Sequence, residues 1–170
     1  MNILQYVTNY GSKSVFRTNC GAPNYQLVTF DLSKPISIDH ETQIEPWPMT
    51  TLIEEHSKNV LEWAKCVNKD KLIICYMEDV KNVMNVHDLD SGEFSYNIPL
   101  DIGSIVGLSG EKHQTEVFYK FSSMITPGIT YYMDMKESSP TPQVRPSNKQ
   151  KKNLCLTFNQ LWTYDILICL

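Results

Sequence analysis

Three segments of this chain end alike: Thr29-Phe30-Asp31-Leu32, Val86-His87-Asp88-Leu89 and Tyr132-Met133-Asp134-Met135. Each is rich in strand-forming residues up to the aspartate and polar after it. An aspartate closing a strand can accept hydrogen bonds from the backbone of the turn that follows, which gives a repeating strand-turn unit a physical reason to keep it. The aspartates lie 57 and 46 residues apart, a spacing close to one four-stranded blade of a β-propeller. Strand-Asp-Leu-turn also occurs in sandwiches, so the repeat alone leaves a propeller and other antiparallel folds open.

The rest of the chain reads as short strands between turn signals. Ile3 to Val7 alternates, Asn9-Tyr10-Gly11 reads as a turn, and Val15 to Thr18 returns. Cys20 to Asn24 is a loop, and Tyr25 to Leu32 the next strand. Asp31 to Pro48 is polar, carries three prolines and is expected to be a surface connection. Met49 to Asn68 is ambiguous between a helical face and two short strands around a polar turn. Leu72 to Met77, LIICYM, is the continuous apolar run of a strand buried on both faces. Val80 to Leu89 follows, with Asp79 and Val80 near the reversal, then the hairpin signal Asp90-Ser91-Gly92, then Glu93 to Ile98. Ile102 to Leu108, Glu116 to Met124 and Ile129 to Met135 complete the set. Thr126-Pro127-Gly128 suits a type II turn, with glycine taking the positive φ.

Composition narrows what such a fold can do. Hydrophobic residues are 42% and charged residues 20% of the 170, which is globular composition. The net charge of −4 gives no support to nucleic acid or anionic membrane as partners, since both need clustered cations. The one basic cluster, Lys149 to Lys152, reads as a solvated loop. Five cysteines (Cys20, Cys66, Cys75, Cys155 and Cys169) form no CxxC pair and have no histidine at zinc-finger spacing. Cys66 and Cys75 read as small buried hydrophobes, and a reducing cytoplasmic setting fits. The N-terminus shows no secretory signal, and the apolar run Tyr164 to Leu170 is too short to span a bilayer.

A series of longer words is more specific. Tyr6-Val7-Thr8-Asn9 with Gly11, and Ala22-Pro23-Asn24-Tyr25, resemble strand-turn segments of the prolyl oligopeptidase propeller. Val60-Leu61-Glu62-Trp63, Cys75-Tyr76, Asp79-Val80-Lys81-Asn82, His87-Asp88-Leu89, Pro99-Leu100-Asp101, Gly103-Ser104-Ile105-Val106-Gly107, Ser109-Gly110 and Ser123 with Pro127-Gly128-Ile129 resemble that family in order and spacing. The resemblance runs from about Tyr6 to Met135. It implies an all-β fold, with about three four-stranded antiparallel blades of a seven-bladed propeller. The expected division is a partial propeller over residues 1–142 and a divergent tail over 143–170. That tail no longer resembles the family and is expected to come from an aberrant exon, a frameshift or retained intron sequence.

The same resemblance implies a propeller that caps an α/β-hydrolase domain and restricts access to small proline-containing peptides, which that domain cleaves after proline through a Ser-Asp-His triad. A serine peptidase of this kind needs a nucleophile on a strained elbow, a histidine to take its proton and an aspartate to orient the histidine. The nearest match to the elbow is Gly107-Leu108-Ser109-Gly110, where the second glycine comes one residue early and no helix pattern follows. Ser109 therefore reads as a turn residue. His40, His56, His87 and His113 show no triad spacing. His87 is expected to pack or to cap the turn beside Asp88; His56 and His113 are expected to be exposed. Glu54-Glu55 and Asp88 with Asp90 lack an apolar pocket that would raise a carboxyl pKa, and read as surface or turn-forming groups. The rings of Phe118, Tyr119, Phe121, Tyr131 and Tyr132 are expected to pack on both faces of their strands. Gly103 and Gly107 read as permitting close packing near the propeller axis. No catalytic, cofactor-binding or metal site is assigned, and no cofactor is expected. The expected role is the gating propeller of a serine endopeptidase, inactive alone; the alternative is a non-catalytic interaction module.

Overall fold

The computed structural model describes residues 2–33, 49–126, 128–137 and 140–144. Those residues form strands only, with no helix among them. They are β1 (Leu4–Tyr10), β2 (Lys13–Thr18), β3 (Gln26–Asp31), β4 (Met49–Ile53), β5 (Val60–Val67), β6 (Lys71–Glu78), β7 (Lys81–Asp88), β8 (Phe94–Ile98), β9 (Ser104–Ser109), β10 (Glu116–Ser122), β11 (Ile129–Asp134) and β12 (Gln143–Val144). They build three four-stranded sheets in the orders β1-β2-β3-β4, β5-β6-β7-β8 and β9-β10-β11-β12. Each sheet is a meander of sequence neighbours, as a propeller blade requires. The chain forms two compact units that meet in sequence at Leu61 and Glu62.

In the first unit, Tyr10 pairs with Lys13 across a two-residue turn in which Gly11 has φ +54. The turn therefore lies one residue later than the Asn9-Tyr10-Gly11 signal placed it. A bulge between Tyr6 and Thr8 absorbs Val7 and sets that register. Phe16 packs edge-on against Tyr6 at 5.7 Å and against Phe30 at 5.2 Å. The ambiguous stretch Met49 to Asn68 resolves into β4 and β5. β4 pairs with β3, Leu27 opposite Ile53, so an available strand edge overrode the partial helical periodicity.

In the second unit, β6 and β7 pair without interruption from Lys71↔Asp88 to Glu78↔Lys81. Leu72, Ile73, Ile74 and Cys75 are fully buried, so the apolar run is covered on both faces as expected. The core between the second and third sheets gathers Val67, Ile73, Cys75, Met84, Val86 and Ile98 against Val117, Tyr119, Phe121 and Met133. Val80, read as the first residue of its strand and as near the reversal, stands in the turn, so β7 opens one residue later. Asp79 and Val80 have φ +45 and +66, the left-handed pair of a type I′ hairpin. Packing of Met84 and Val86 fixes the register of β7, and the two-residue connection leaves Val80 no extended conformation.

The repeated aspartates behave alike. Asp31 Oδ1 accepts from the Ser33 amide at 3.0 Å, Asp88 Oδ1 from Asp90 and Ser91 at 3.0 Å each, and Asp134 Oδ1 from Lys136 at 3.1 Å. The third sheet takes its fourth strand from Gln143 and Val144, opposite Tyr132 and Tyr131. The remainder of the tail, Cys155, Cys169, the Lys149 to Lys152 cluster, His40 and Pro127 lie outside the described residues.

Candidate functional site

Among the described residues, those that sequence reasoning weighed for chemistry each serve a local turn or strand end. Ser109 is the last residue of β9 and pairs with Phe118. The following Gly110 is buried, and a methyl group there would stand 3.2 Å from Val67 and 3.3 Å from Val117. This is a packed corner between two sheets, not an elbow presenting a hydroxyl. His87 Nδ1 donates to the Gly92 carbonyl at 2.9 Å, and its ring lies edge-on to Phe94 at 5.7 Å. Burial pushes its pKa down, only partly offset by the Gly92 bond. His56 Nδ1 accepts from the amides of Lys58 (3.2 Å) and Asn59 (2.9 Å), so it closes the β4–β5 turn. His113 is exposed in the turn after β9.

The carboxylates are likewise turn-formers. Glu55 accepts from the Asn24 amide and ties the loop before β3 to the end of β4. Asp88 is held below the usual carboxyl range, first by the Ser91 amide and also by Asp90 and the Ser91 hydroxyl. That is the reverse of a proton donor poised for acid catalysis. The Cys75 thiol is pushed up to about 12 by burial, with the Glu62 charge adding to it. Such a thiol is held protonated and is a poor nucleophile.

What the fold does assemble is a set of interlocks between its second and third sheets. Asn82, buried at the start of β7, donates from Nδ2 to Glu62 at 2.6 Å and accepts at Oδ1 from the Ile105 amide at 2.7 Å. Its own amide donates to the Gly103 carbonyl at 2.9 Å. At the opposite end Asn68 donates from its amide to Gln114 at 2.9 Å and from Nδ2 to the Met135 carbonyl at 3.0 Å. Local spacing gave no sign of either clamp, because the partners lie 20 to 67 residues away.

Beside these lies the cleft of the second unit, about 270 Å³, lined by Pro99, Leu100, Asp101, Tyr119, Phe121 and Tyr131. Tyr119 and Tyr131 stack with centroids 5.1 Å apart and planes at 12°, and Phe121 meets Tyr131 edge-on at 6.4 Å. Phe118 and Tyr132 pair on the other face of the sheet at 5.2 Å. The expected packing of rings on both faces holds. A methyl group on Gly103 would collide with the Phe121 ring and lie 2.6 Å from the Ser122 carbonyl. The close approach read from that glycine is therefore present.

This geometry is architecture, and its likeness to known proteins is consistent. Residues 3–146 match the family model described as the N-terminal β-propeller domain of prolyl oligopeptidase. The chain belongs to that family. A prolyl oligopeptidase of Omphalotus olearius is 31% identical over 125 residues, which are 74% of this chain and 15% of that protein. A prolyl endopeptidase of Dictyostelium discoideum is 28% identical over 134 residues, 77% of this chain and 17% of the relative. The chain thus spans under a fifth of the length of these relatives. Among solved structures, a prolyl endopeptidase from a study of two such enzymes superposes with a TM-score of 0.68 at 27% identity, covering 86% of this chain and 20% of that one. Prolyl oligopeptidase B of Galerina marginata, solved with a 35mer substrate, has the same fold, with a TM-score of 0.69 at 24% identity over 87% of this chain and 20% of its own.

Proposed function

We propose that this chain supplies propeller blades to a prolyl-specific serine endopeptidase, where they pack on an α/β-hydrolase domain and admit only small proline-containing peptides. The single observation that carries this reading is the match of residues 3–146 to the propeller domain. The roles of the described residues agree with it. Ser109, His87, Asp88 and Glu55 each serve a strand end or a turn, and the inter-sheet interlocks keep neighbouring blades in register. Catalysis belongs to another part of the polypeptide, and the chain alone is inactive. The setting is the cytoplasm, where the thiols of Cys20, Cys66 and Cys75 stay reduced.

The test has two arms. The purified chain is incubated with a succinyl-Gly-Pro fluorogenic peptide, and no turnover above background is expected. The matched segment is then grafted in place of its counterpart in the Dictyostelium discoideum prolyl endopeptidase. The chimaera is expected to cleave the same peptide while sparing a long unfolded protein. Turnover by the lone chain that a transition-state inhibitor abolishes overturns the reading. A folded chimaera that cleaves long and short substrates alike removes the gating role.

A further inference from the structure

Antiparallel order puts the β6–β7 turn, the β8–β9 connection and the β10–β11 loop at one end of the second unit. Four apolar residues of these tips, Val80, Ile102, Met124 and Ile125, are exposed. The aromatic cleft opens beside them, because Asp101, next to Ile102, lines it. Tyr119 and Phe121 are 1% and 4% exposed and form its floor. Tyr131 is half-buried, and Pro99 and Asp101 are exposed at the rim. A buried tyrosine hydroxyl ordinarily finds a hydrogen-bond partner. The Tyr119 hydroxyl bonds to no described residue, and neither does that of Tyr131. Burial, with the Tyr131 phenol beside it, pushes the Tyr119 pKa up, so the group stays a neutral phenol. Asp101 is the only charged residue of the lining and forms no ion pair with a described residue.

These features select an occupant. The cleft of about 270 Å³ has room for roughly nine waters at about 30 Å³ each, which suits one long side chain and not a folded segment. An unpaired carboxylate beside neutral phenol oxygens calls for N–H donors that carry positive charge. The ring stack adds a second requirement. Tyr119 closes one side of it by its burial, so a further plane can be added only at Tyr131. A guanidinium is planar, stacks on aromatic faces and forks onto carboxylates, whereas an ammonium lacks the plane and an anion is repelled by Asp101. The first unit already contains this pairing. Arg17 lies 3.7 Å over the Tyr25 ring, while its Nε donates to the Leu61 carbonyl at 2.9 Å and its Nη1 to Gln5 at 3.0 Å.

We propose that the cleft binds a guanidinium group, laid on Tyr131, forked to the Asp101 carboxylate and donating to the Tyr119 oxygen. The group belongs to an arginine side chain of a peptide or to a small free guanidinium compound, and the test separates the two. The site goes beyond the gating role and does not depend on it. The full chain is titrated with N-acetyl-arginine amide and followed by saturation-transfer NMR, with the chimaera in its place if the lone chain is unfolded. Saturable binding is expected, and the neutral isostere N-acetyl-citrulline amide is expected to bind about tenfold more weakly. Asp101→Asn, at an exposed position, weakens binding of the arginine amide by a similar factor of about ten. Glu93→Gln, an exposed carboxylate at the other end of β8, changes nothing. Tyr119→Phe keeps the ring stack and weakens binding about threefold. It does not lower the unfolding midpoint, because the hydroxyl bonds to no described residue of the chain; a purely structural tyrosine would show the reverse. Methylguanidinium binding as tightly as the amide supports the site and assigns it to small free cations. Tighter binding of the amide supports it and assigns it to a peptide side chain. Equal binding of the arginine and citrulline amides, unchanged binding in Asp101→Asn, or no saturation up to about 20 mM amide overturns the proposal.

Discussion

Asn82 and Asn68 clamp the same two sheets at opposite ends, by different means. Asn82 is buried and uses its amide N–H and both side-chain atoms, on Gly103, Glu62 and the Ile105 amide. Asn68 is half-buried, sits at φ +47 and donates twice, to Gln114 and Met135. A buried clamp must satisfy every polar atom, because water is not there to replace a lost bond. A clamp at the surface needs only the right backbone conformation and one good bond. The end closed by Asn82 therefore tolerates change less than the end closed by Asn68, although the first is also the end with apolar tips.

The largest expected effect lies at the Asn82 end. Gly103→Ala drives a methyl group into the Phe121 ring and the Ser122 carbonyl, and overpacking on this scale costs about 3 kcal/mol. Urea unfolding measures it; a loss no greater than that of an exposed Gly→Ala change would show that the end is soft and would erase the contrast. Next comes Asn82→Ala, which strands the Glu62 carboxylate and the Ile105 amide and costs roughly 2–3 kcal/mol. Asn68→Ala removes one bond to Met135 and places an alanine in the left-handed region, for about 1.5 kcal/mol. Equal losses for the two asparagines, read on one denaturant series, would refute the distinction between them.

Val80→Gly acts in the opposite direction. It removes a β-branched side chain from φ +66 at an exposed tip, and is expected to stabilise the chain by about 1 kcal/mol after glycine's own entropy is counted. Destabilisation in thermal unfolding would mean that the isopropyl group already makes contacts in the lone chain. The smallest effect is a pH slope from His87, because its bond to Gly92 offsets part of the burial. Its folded pKa lies below the unfolded value of about 6.5, so the unfolded chain binds the proton first as pH falls. The contribution of neutral His87 is constant above that value and is lost as pH drops from it through the lower folded pKa. His87→Gln is expected to lack this part of the slope between otherwise parallel stability profiles. Identical profiles would remove His87 from the account.

Much of this was legible in the residues. The strand-Asp-turn repeat identified three equivalent turns, and each aspartate accepts the amide two residues on. LIICYM announced a strand buried on both faces, and Asp90-Ser91-Gly92 a hairpin, with Gly92 at φ +73. These are local matters: alternation, turn chemistry and the reach of a short side chain act within a few residues. The family words placed the chain in its family, and they carried Pro99-Leu100-Asp101 without showing that it lines a cleft with Tyr119, Phe121 and Tyr131.

What the sequence alone determined, then, was the all-β class, the turn residues and the absence of triad spacing among Ser109 and the histidines. Tertiary structure decided the rest. It split Met49 to Asn68 into two strands of different sheets, set Val80 in the left-handed conformation of its turn, joined Asn82 to Glu62 and Ile105, and gathered four apolar tips at one end. The physical reason is common to all four. Each depends on which edge, which register and which neighbouring sheet a segment meets, and those are set by packing between residues far apart in the chain.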